Sequence, residues 1–86
     1  MVKVRVSYIS LTAEITGRRS ETIELKGDGI KLSDLLNELF RRYPKLRDLK
    51  SKLNILILIN GNSVKNHNMK LIDGDEVAIL PPTSGG

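Results

Sequence analysis

The stretch LIDGDEVAILPPTSGG, residues 71–86, contains in order an Asp-Gly-Asp turn, a five-residue strand and an abrupt end to that strand. Side chains in the strand alternate between two faces, with Val77 on one face and Leu80 on the other. Pro81 and Pro82 then stop sheet pairing, because proline has no N–H to donate. The stretch therefore predicts a last strand that ends at Leu80 and a tail that leaves the sheet there.

The segments upstream predict the rest of a small domain. Residues 2–9 alternate as a half-buried strand does, and residues 22–25 predict its hairpin partner. Residues 32–43 carry apolar side chains spaced by three and one, which predicts an amphipathic helix that Pro44 ends. Residues 54–59 are apolar on both faces from Ile55 onwards and include three β-branched isoleucines, so they predict a central strand. Short helical turns are expected at residues 11–15 and 46–53, and a brief strand is expected at Val64.

This order of elements predicts an α+β fold with a mixed sheet of four to five strands and one main helix packed across it. The first and last strands would lie side by side in the middle of the sheet, which is the ubiquitin-like β-grasp arrangement. We expect residues 1–80 to form this domain. Residues 81–86 would form a flexible C-terminal tail that ends in diglycine.

Length and composition limit the possible functions. A chain of 86 residues is expected to form one domain, and without cysteine it can form neither disulfides nor thiolate metal sites. The strand pattern starts at Met1 with no signal peptide before it, and the longest apolar run, residues 55–59, is too short to span a bilayer. We therefore expect a cytoplasmic protein with no membrane partner. Its net charge of +4 weakly favours acidic partners.

The tail has the properties of an acyl carrier. Pro81 and Pro82 keep the chain extended, and the six residues up to Gly86 can reach about 20 Å. Gly85 and Gly86 have no Cβ, so they can enter a channel too narrow for other residues. The Gly86 carboxylate is a poor acyl donor, but a mixed anhydride with AMP would make it a good one. A diglycine taken alone is equally consistent with a chance flexible end.

The run of residues 71–86 resembles the C-terminal signature of the molybdopterin synthase small subunit, a family of ubiquitin-like sulfur carriers. Turn, strand, diproline and diglycine occur at the family's spacing up to the last residue. The remainder is similar more loosely, through residues 2–8, the helix at Leu35-Leu36 and residues 57–60.

The resemblance implies a mechanism in which partners do the catalysis. An adenylating enzyme of the ubiquitin-activating type would use ATP and magnesium to form the Gly86 acyl-adenylate, and a sulfur donor protein would convert it to a thiocarboxylate. The tail would insert into the large subunit of molybdopterin synthase, where the sulfur would pass to a cyclic pyranopterin phosphate to form the dithiolene that holds molybdenum or tungsten. The chain would be a non-catalytic subunit and co-substrate that binds no cofactor permanently. The inserted residues before Gly86 would be Pro81, Pro82, Thr83, Ser84 and Gly85.

The strand pattern also indicates a partner surface. Leu80 belongs to the second face of the last strand, and Leu56 and Leu58 belong to the same kind of face in the strand at residues 54–59. If the helix covers one face of the sheet, a partner protein could cover these leucines on the other, since exposed apolar patches often mark interfaces. Covering loops are the alternative. The chain departs from the family pattern at Ser7 and Ser63, where bulkier apolar contacts are expected.

Three other features carry weaker hypotheses. His67, the only histidine, lies among asparagines with no evident catalytic partner. Asp73, Asp75 and Glu76 suggest a turn before a strand better than a cation site, because the rest of a calcium loop is missing, so no metal is expected. A basic cluster lacks aromatic residues for stacking, apart from Tyr43, so no nucleic-acid partner is expected. The members of this cluster are Arg41, Arg42, Lys45, Arg47, Lys50 and Lys52.

Two other classes of function stay open. Thiazole-forming or tRNA-thiolating sulfur carriers and ubiquitin-like protein modifiers also end in diglycine, and lysine-linked conjugates would identify a modifier. A non-catalytic β-grasp binding module would keep its function without Gly85 and Gly86, whereas any carrier would lose it. An independent enzyme is not supported by any constellation of side chains.

Overall fold

The computed structural model of the protein describes residues 1–52 and 54–82. No helix in these residues is both long enough and apolar enough to cross a membrane. Their elements in chain order are β1 (Val2–Tyr8), α1 (Leu11–Thr16), β2 (Ser20–Leu25), α2 (Leu32–Arg42), α3 (Pro44–Lys52), β3 (Leu56–Ile59), β4 (Asn62–Ser63) and β5 (Glu76–Leu80).

The strands form one mixed sheet in the order β2-β1-β5-β3-β4. Strand β1 pairs antiparallel with β2 and parallel with β5, and β5 pairs antiparallel with β3. The first and last strands therefore lie side by side in the middle of the sheet, which confirms the predicted arrangement. The last strand spans Glu76–Leu80, as predicted.

Two strand predictions need correction. The strand predicted at residues 54–59 starts at Leu56, and it lies between β5 and the two-residue β4, not at the centre of the sheet. The brief strand expected at Val64 lies just before it, at Asn62–Ser63. The reason is a tight turn, in which Asn60 and Gly61 both have positive φ angles, of 51° and 85°. Such a turn joins two paired strands directly, so pairing resumes at Asn62.

The helices pack on one face of the sheet. The predicted stripe of α2 is buried, with Leu32, Leu35, Leu36 and Leu39 in the core. The helical turn expected after Pro44 is a nine-residue helix that begins at this proline. Proline suits the first position of a helix because its missing N–H would have no partner there. Pro44 therefore both ends α2 and begins α3.

A buried carboxylate joins the hairpin to the end of α2. Glu21 Oε2 accepts hydrogen bonds from the hydroxyls of Tyr8 at 2.6 Å and Tyr43 at 2.7 Å. Arg18 and Arg42 lie 3.4 Å and 3.7 Å from Glu21 Oε1. The Glu21 side chain is only 8% exposed, so these partners satisfy a charge that is largely out of water. Burial and the bond to Glu21 raise the pKa of Tyr8.

Replacing Glu21 with alanine is expected to lower the free energy of unfolding by about 3 kcal/mol, because the partly buried hydroxyls of Tyr8 and Tyr43 lose a charged acceptor. Urea denaturation measures this loss. The control Glu24→Ala removes a carboxylate of the same strand whose ion pair with Lys3, at 3.4 Å, is exposed, so its effect should stay within about 0.5 kcal/mol. Equal losses in the two variants would contradict the role of Glu21.

The contribution of Tyr8 to stability should depend on pH. Since the pKa of Tyr8 is raised on folding, its contribution to the free energy of unfolding is fully present below about pH 10 and is lost as the pH rises further.

Candidate functional site

The candidate site is the end of β5, where the tail leaves the sheet. The parallel pairing of β1 with β5 ends at Tyr8 and Ile79, and Leu56 of β3 pairs with Leu80 on the other side. Pro81 and Pro82 follow as half-buried residues outside any strand. The tail therefore starts from the centre of the sheet, between two fixed strands. The other predicted tail residues, Thr83, Ser84, Gly85 and Gly86, lie outside the described residues.

Thr12 holds the end of β5 in place. Its side chain is fully buried, and its hydroxyl lies 2.7 Å from the carbonyl oxygen of Ile79, to which it donates. The same hydroxyl accepts a hydrogen bond of 2.8 Å from the backbone N–H of Ile9. A residue of helix α1 is thus hydrogen-bonded to Ile79, the second-to-last residue of β5. Sequence reasoning missed Thr12, because the bond joins residues 67 positions apart and no local pattern indicates it.

The start of β5 is fixed by the acidic turn. Asp73 Oδ1 accepts a hydrogen bond of 2.8 Å from the backbone N–H of Lys3. Asp75 accepts bonds from the backbone N–H of Ile72 at 2.8 Å and from the side-chain amide of Asn60 at 2.9 Å. Both carboxylates accept hydrogen bonds that fix the backbone around residues 73–75, which confirms the predicted turn before the last strand. Within the described residues, no three acidic or histidine side chains form a group that could hold a metal ion.

The face of the sheet opposite the helices carries an apolar patch. In the register, Leu56 pairs with Leu80 and Leu58 pairs with Ala78. All four side chains are half-buried, whereas the alternating residues Ile57, Ile59, Val77 and Ile79 belong to the core. We call Leu56, Leu58, Ala78 and Leu80 the open-face patch. The predicted direction of the three leucines is confirmed; their role as a partner interface stays a prediction.

Small polar and apolar residues border this patch. Ser7 pairs with Ala78 and Ser63 pairs with Leu58, so the two serines bracket the patch in one row across the sheet. Past the end of β1, Ile9 and Leu11 are 44% and 37% exposed. Sequence reasoning missed them as site residues, although Ile9 continues the solvent-facing alternation of β1 with an apolar side chain. The backbone N–H of Ile9 lies 3.2 Å from the carbonyl oxygen of Ile79, so an exposed apolar residue follows β1 beside the end of β5.

Two other predicted features have structural roles. The backbone carbonyl of His67 accepts a hydrogen bond of 2.9 Å from the N–H of Ser33, in the first turn of α2. In the basic cluster, Arg41 and Arg42 each approach Glu38 to 2.7 Å. Hydrogen bonds from Arg41 and Arg42 lower the pKa of Glu38 to about 2. These two arginines are therefore partly neutralised by a carboxylate of their own helix.

Comparison with known proteins shows to which family the chain belongs. Residues 6–86 match the ThiS family. The chain belongs to the ThiS family. The molybdopterin synthase sulfur carrier subunit of Homo sapiens is 36% identical over 86 residues, which cover 100% of this ThiS-family chain and 97% of the human protein. This match confirms the resemblance seen in the sequence.

Solved structures of other proteins share the fold. The molybdopterin converting factor, subunit 1, from Pyrococcus furiosus has a TM-score of 0.85 and 30% identity, covering 96% of this chain and 100% of the other. The small archaeal modifier protein 1 (SAMP1) from Methanosarcina acetivorans has a TM-score of 0.77 and 31% identity, covering 100% of this chain and 98% of the other. The β-grasp fold is therefore confirmed, and it is shared by proteins described as a molybdopterin converting factor subunit and as a small archaeal modifier protein.

Proposed function

We propose that this chain is the sulfur carrier subunit of a molybdopterin synthase. The observation that carries the proposal is the match with the human sulfur carrier subunit at 36% identity, which extends over all of this chain. The fold and the tail sequence agree with it, since the last strand ends at Leu80 and the sequence continues through a diproline to a diglycine. The activity would be cytoplasmic, in line with the expectation drawn from the signal-peptide and hydropathy patterns.

The chain would act in two chemical steps at Gly86, with the reactive groups supplied by partners. A carboxylate oxygen of Gly86 attacks the α-phosphorus of ATP on a magnesium-dependent adenylating enzyme, and pyrophosphate leaves. A hydrosulfide equivalent from a sulfur donor then attacks the acyl carbon, AMP leaves, and a thiocarboxylate forms with release of a proton. In the large subunit of the synthase, this sulfur would be transferred to a cyclic pyranopterin phosphate to build the dithiolene.

The described residues explain how the domain would present such a tail. Hydrogen bonds from Thr12 and Ile9 fix the carbonyl of Ile79, and pairing with Leu56 fixes Leu80. Pro81 and Pro82 restrict the next two φ angles, so the tail starts in a narrow range of directions. Restricting the direction lowers the conformational entropy that is lost when a partner takes up the tail. The domain would thus hold the start of the tail in a fixed position while a partner takes up the tail.

One second function has a specific observation in its favour. Small archaeal modifier protein 1 (SAMP1) and the Pyrococcus molybdopterin converting factor subunit match this chain at nearly equal sequence identity, 31% and 30%, with TM-scores of 0.77 and 0.85. Protein conjugation starts with the same acyl-adenylate, but a lysine amine then displaces AMP. Sulfur carriers for thiazole or thiolated tRNA would share the thiocarboxylate and differ only in the acceptor. These are therefore alternatives for the last acceptor and leave the activation of Gly86 unchanged.

Intact-mass spectrometry tests the proposal. The chain is incubated with ATP, magnesium, a cognate adenylating enzyme and sulfide, and a gain of about 16 Da located on Gly86 is expected, because sulfur replaces one oxygen. The product is then mixed with the large subunit and the cyclic pyranopterin phosphate, and return to the original mass with formation of a dithiolene would support the complete function. Lysine-linked adducts would favour the modifier. No mass change with several adenylating enzymes would contradict the carrier and favour a binding module.

A further inference from the structure

Positive charge is concentrated in one segment of the chain. Residues 41–52 contain six of the 14 lysines and arginines but only one of the 10 acidic residues, Asp48. This segment has a net charge of +5, whereas the remainder of the chain carries −1. The excess charge of the protein therefore belongs to the end of α2 and to α3.

The charge on α3 is presented to solvent. Lys45, Arg47, Lys50 and Lys52 are all exposed, and within residues 1–52 and 54–82 none of them forms an ion pair. Lys50 lies 5.6 Å from the centre of the Phe40 ring, which places its ammonium group along the protein surface. We call Lys45, Arg47, Lys50 and Lys52 the α3 basic surface.

This surface lies beside the tail exit. Lys50 lines a groove of about 330 Å³ together with Leu56, and Leu56 pairs with Leu80, the residue before the diproline. At the other end of α3, Lys45 shares a second groove with Ile15 of α1, the helix whose Thr12 holds Ile79. Lys50 therefore lies next to the strand that fixes the end of β5, where a partner that takes up the tail would bind.

We propose that the α3 basic surface docks on an acidic surface of the adenylating partner, beside the channel that takes up the tail. This inference rests on the proposed function. Adenylation brings the Gly86 carboxylate to ATP, and both are negatively charged, so the tail end itself opposes the encounter. A positive surface beside the exit favours arrival in the productive orientation and raises the association rate without making release slow. A carrier that must leave for another partner needs this combination.

Kinetics of pyrophosphate exchange with the adenylating enzyme test the docking surface. The double variant Arg47→Glu/Lys50→Glu is expected to raise KM for the chain about tenfold at low salt, with kcat unchanged, since steering affects the encounter and not the chemical step. The difference should disappear at about 0.5 M salt, where charges are screened. The control Lys26→Glu/Lys70→Glu makes the same change in net charge away from the exit. Lys26 follows the end of β2 that pairs with Val2, and Lys70 pairs with Lys31 before α2.

The possible outcomes distinguish failure of the docking surface from failure of the proposed function on which it rests. A raised KM in the α3 variant alone, lost at high salt, supports the inference. An equal change in both double variants, no change in either, or a lower kcat at constant KM overturns it. Weakened binding to the large subunit with an unchanged KM for adenylation also overturns it. Circular dichroism shows whether the α3 variant folds. If it does not fold, the salt dependence of KM is measured with the wild-type chain instead. A KM that does not depend on salt would overturn the docking surface but not the proposed function. No exchange with the wild-type chain would instead overturn the proposed function.

Discussion

Deleting Gly86 is expected to reduce the rate of adenylation at least about 1000-fold, although the shortened chain still ends in a glycine carboxylate. The tail starts at a fixed point, because the end of β5 is held by Thr12 on one side and by pairing with Leu56 on the other. Removing one residue therefore withdraws the carboxylate by about 3.5 Å. Misplacement of a reacting group by only about 1 Å can already cost about 100-fold.

The intact-mass assay measures the effect, and two further variants identify its cause. Ser84→Ala keeps the length of the tail and should form the thiocarboxylate at nearly the wild-type rate. Gly86→Ala keeps the length but adds a Cβ, so a slow reaction here would show that the channel excludes side chains. If the chain without Gly86 gained about 16 Da as fast as wild type, a length-dependent insertion of the tail would be wrong.

Replacing Leu58 with arginine is expected to weaken binding to the large subunit about 100-fold, or about 2.7 kcal/mol. Leu58 lies within the open-face patch, paired with Ala78 and bordered by Ser63. An arginine at this position would place a charge against an apolar partner surface, where its desolvation opposes binding. Isothermal titration calorimetry with the purified large subunit gives the dissociation constants directly.

Thr22→Arg provides the matched control for this change. Thr22 pairs with Arg5 and lies on the same face of the sheet, but on the edge strand β2 and outside the open-face patch. The two variants have the same net charge, so only the position differs. Both should remain folded, since Leu58 is half-buried and the arginine stem can follow the surface, at a cost of about 1 kcal/mol. Equal affinities in the two variants would contradict an interface on this face.

The sequence predicted the fold because its periodic patterns are strong. The apolar stripe of α2 and the alternation in β1 and β5 each fix which side chains face the core, and the structure buries these side chains. The boundaries of β3 and β4 were less accurate, because strand pairing depends on where the Asn60-Gly61 turn closes. The length of α3 was also underestimated, since Pro44 was interpreted as an end and not also as a beginning.

The sequence by itself determined the family, the β-grasp order of elements and the diglycine tail, since these depend on local periodicity and on residues that are adjacent in the chain. Only the tertiary structure decided how the tail exit is held and what surrounds it. The bond from Thr12 to Ile79 joins distant positions, and the open-face patch forms only when β3 pairs with β5 in a specific register. The position of Lys50 beside Leu56, the residue that pairs with Leu80, likewise results from packing. These features depend on contacts between remote segments, which no single stretch of sequence specifies.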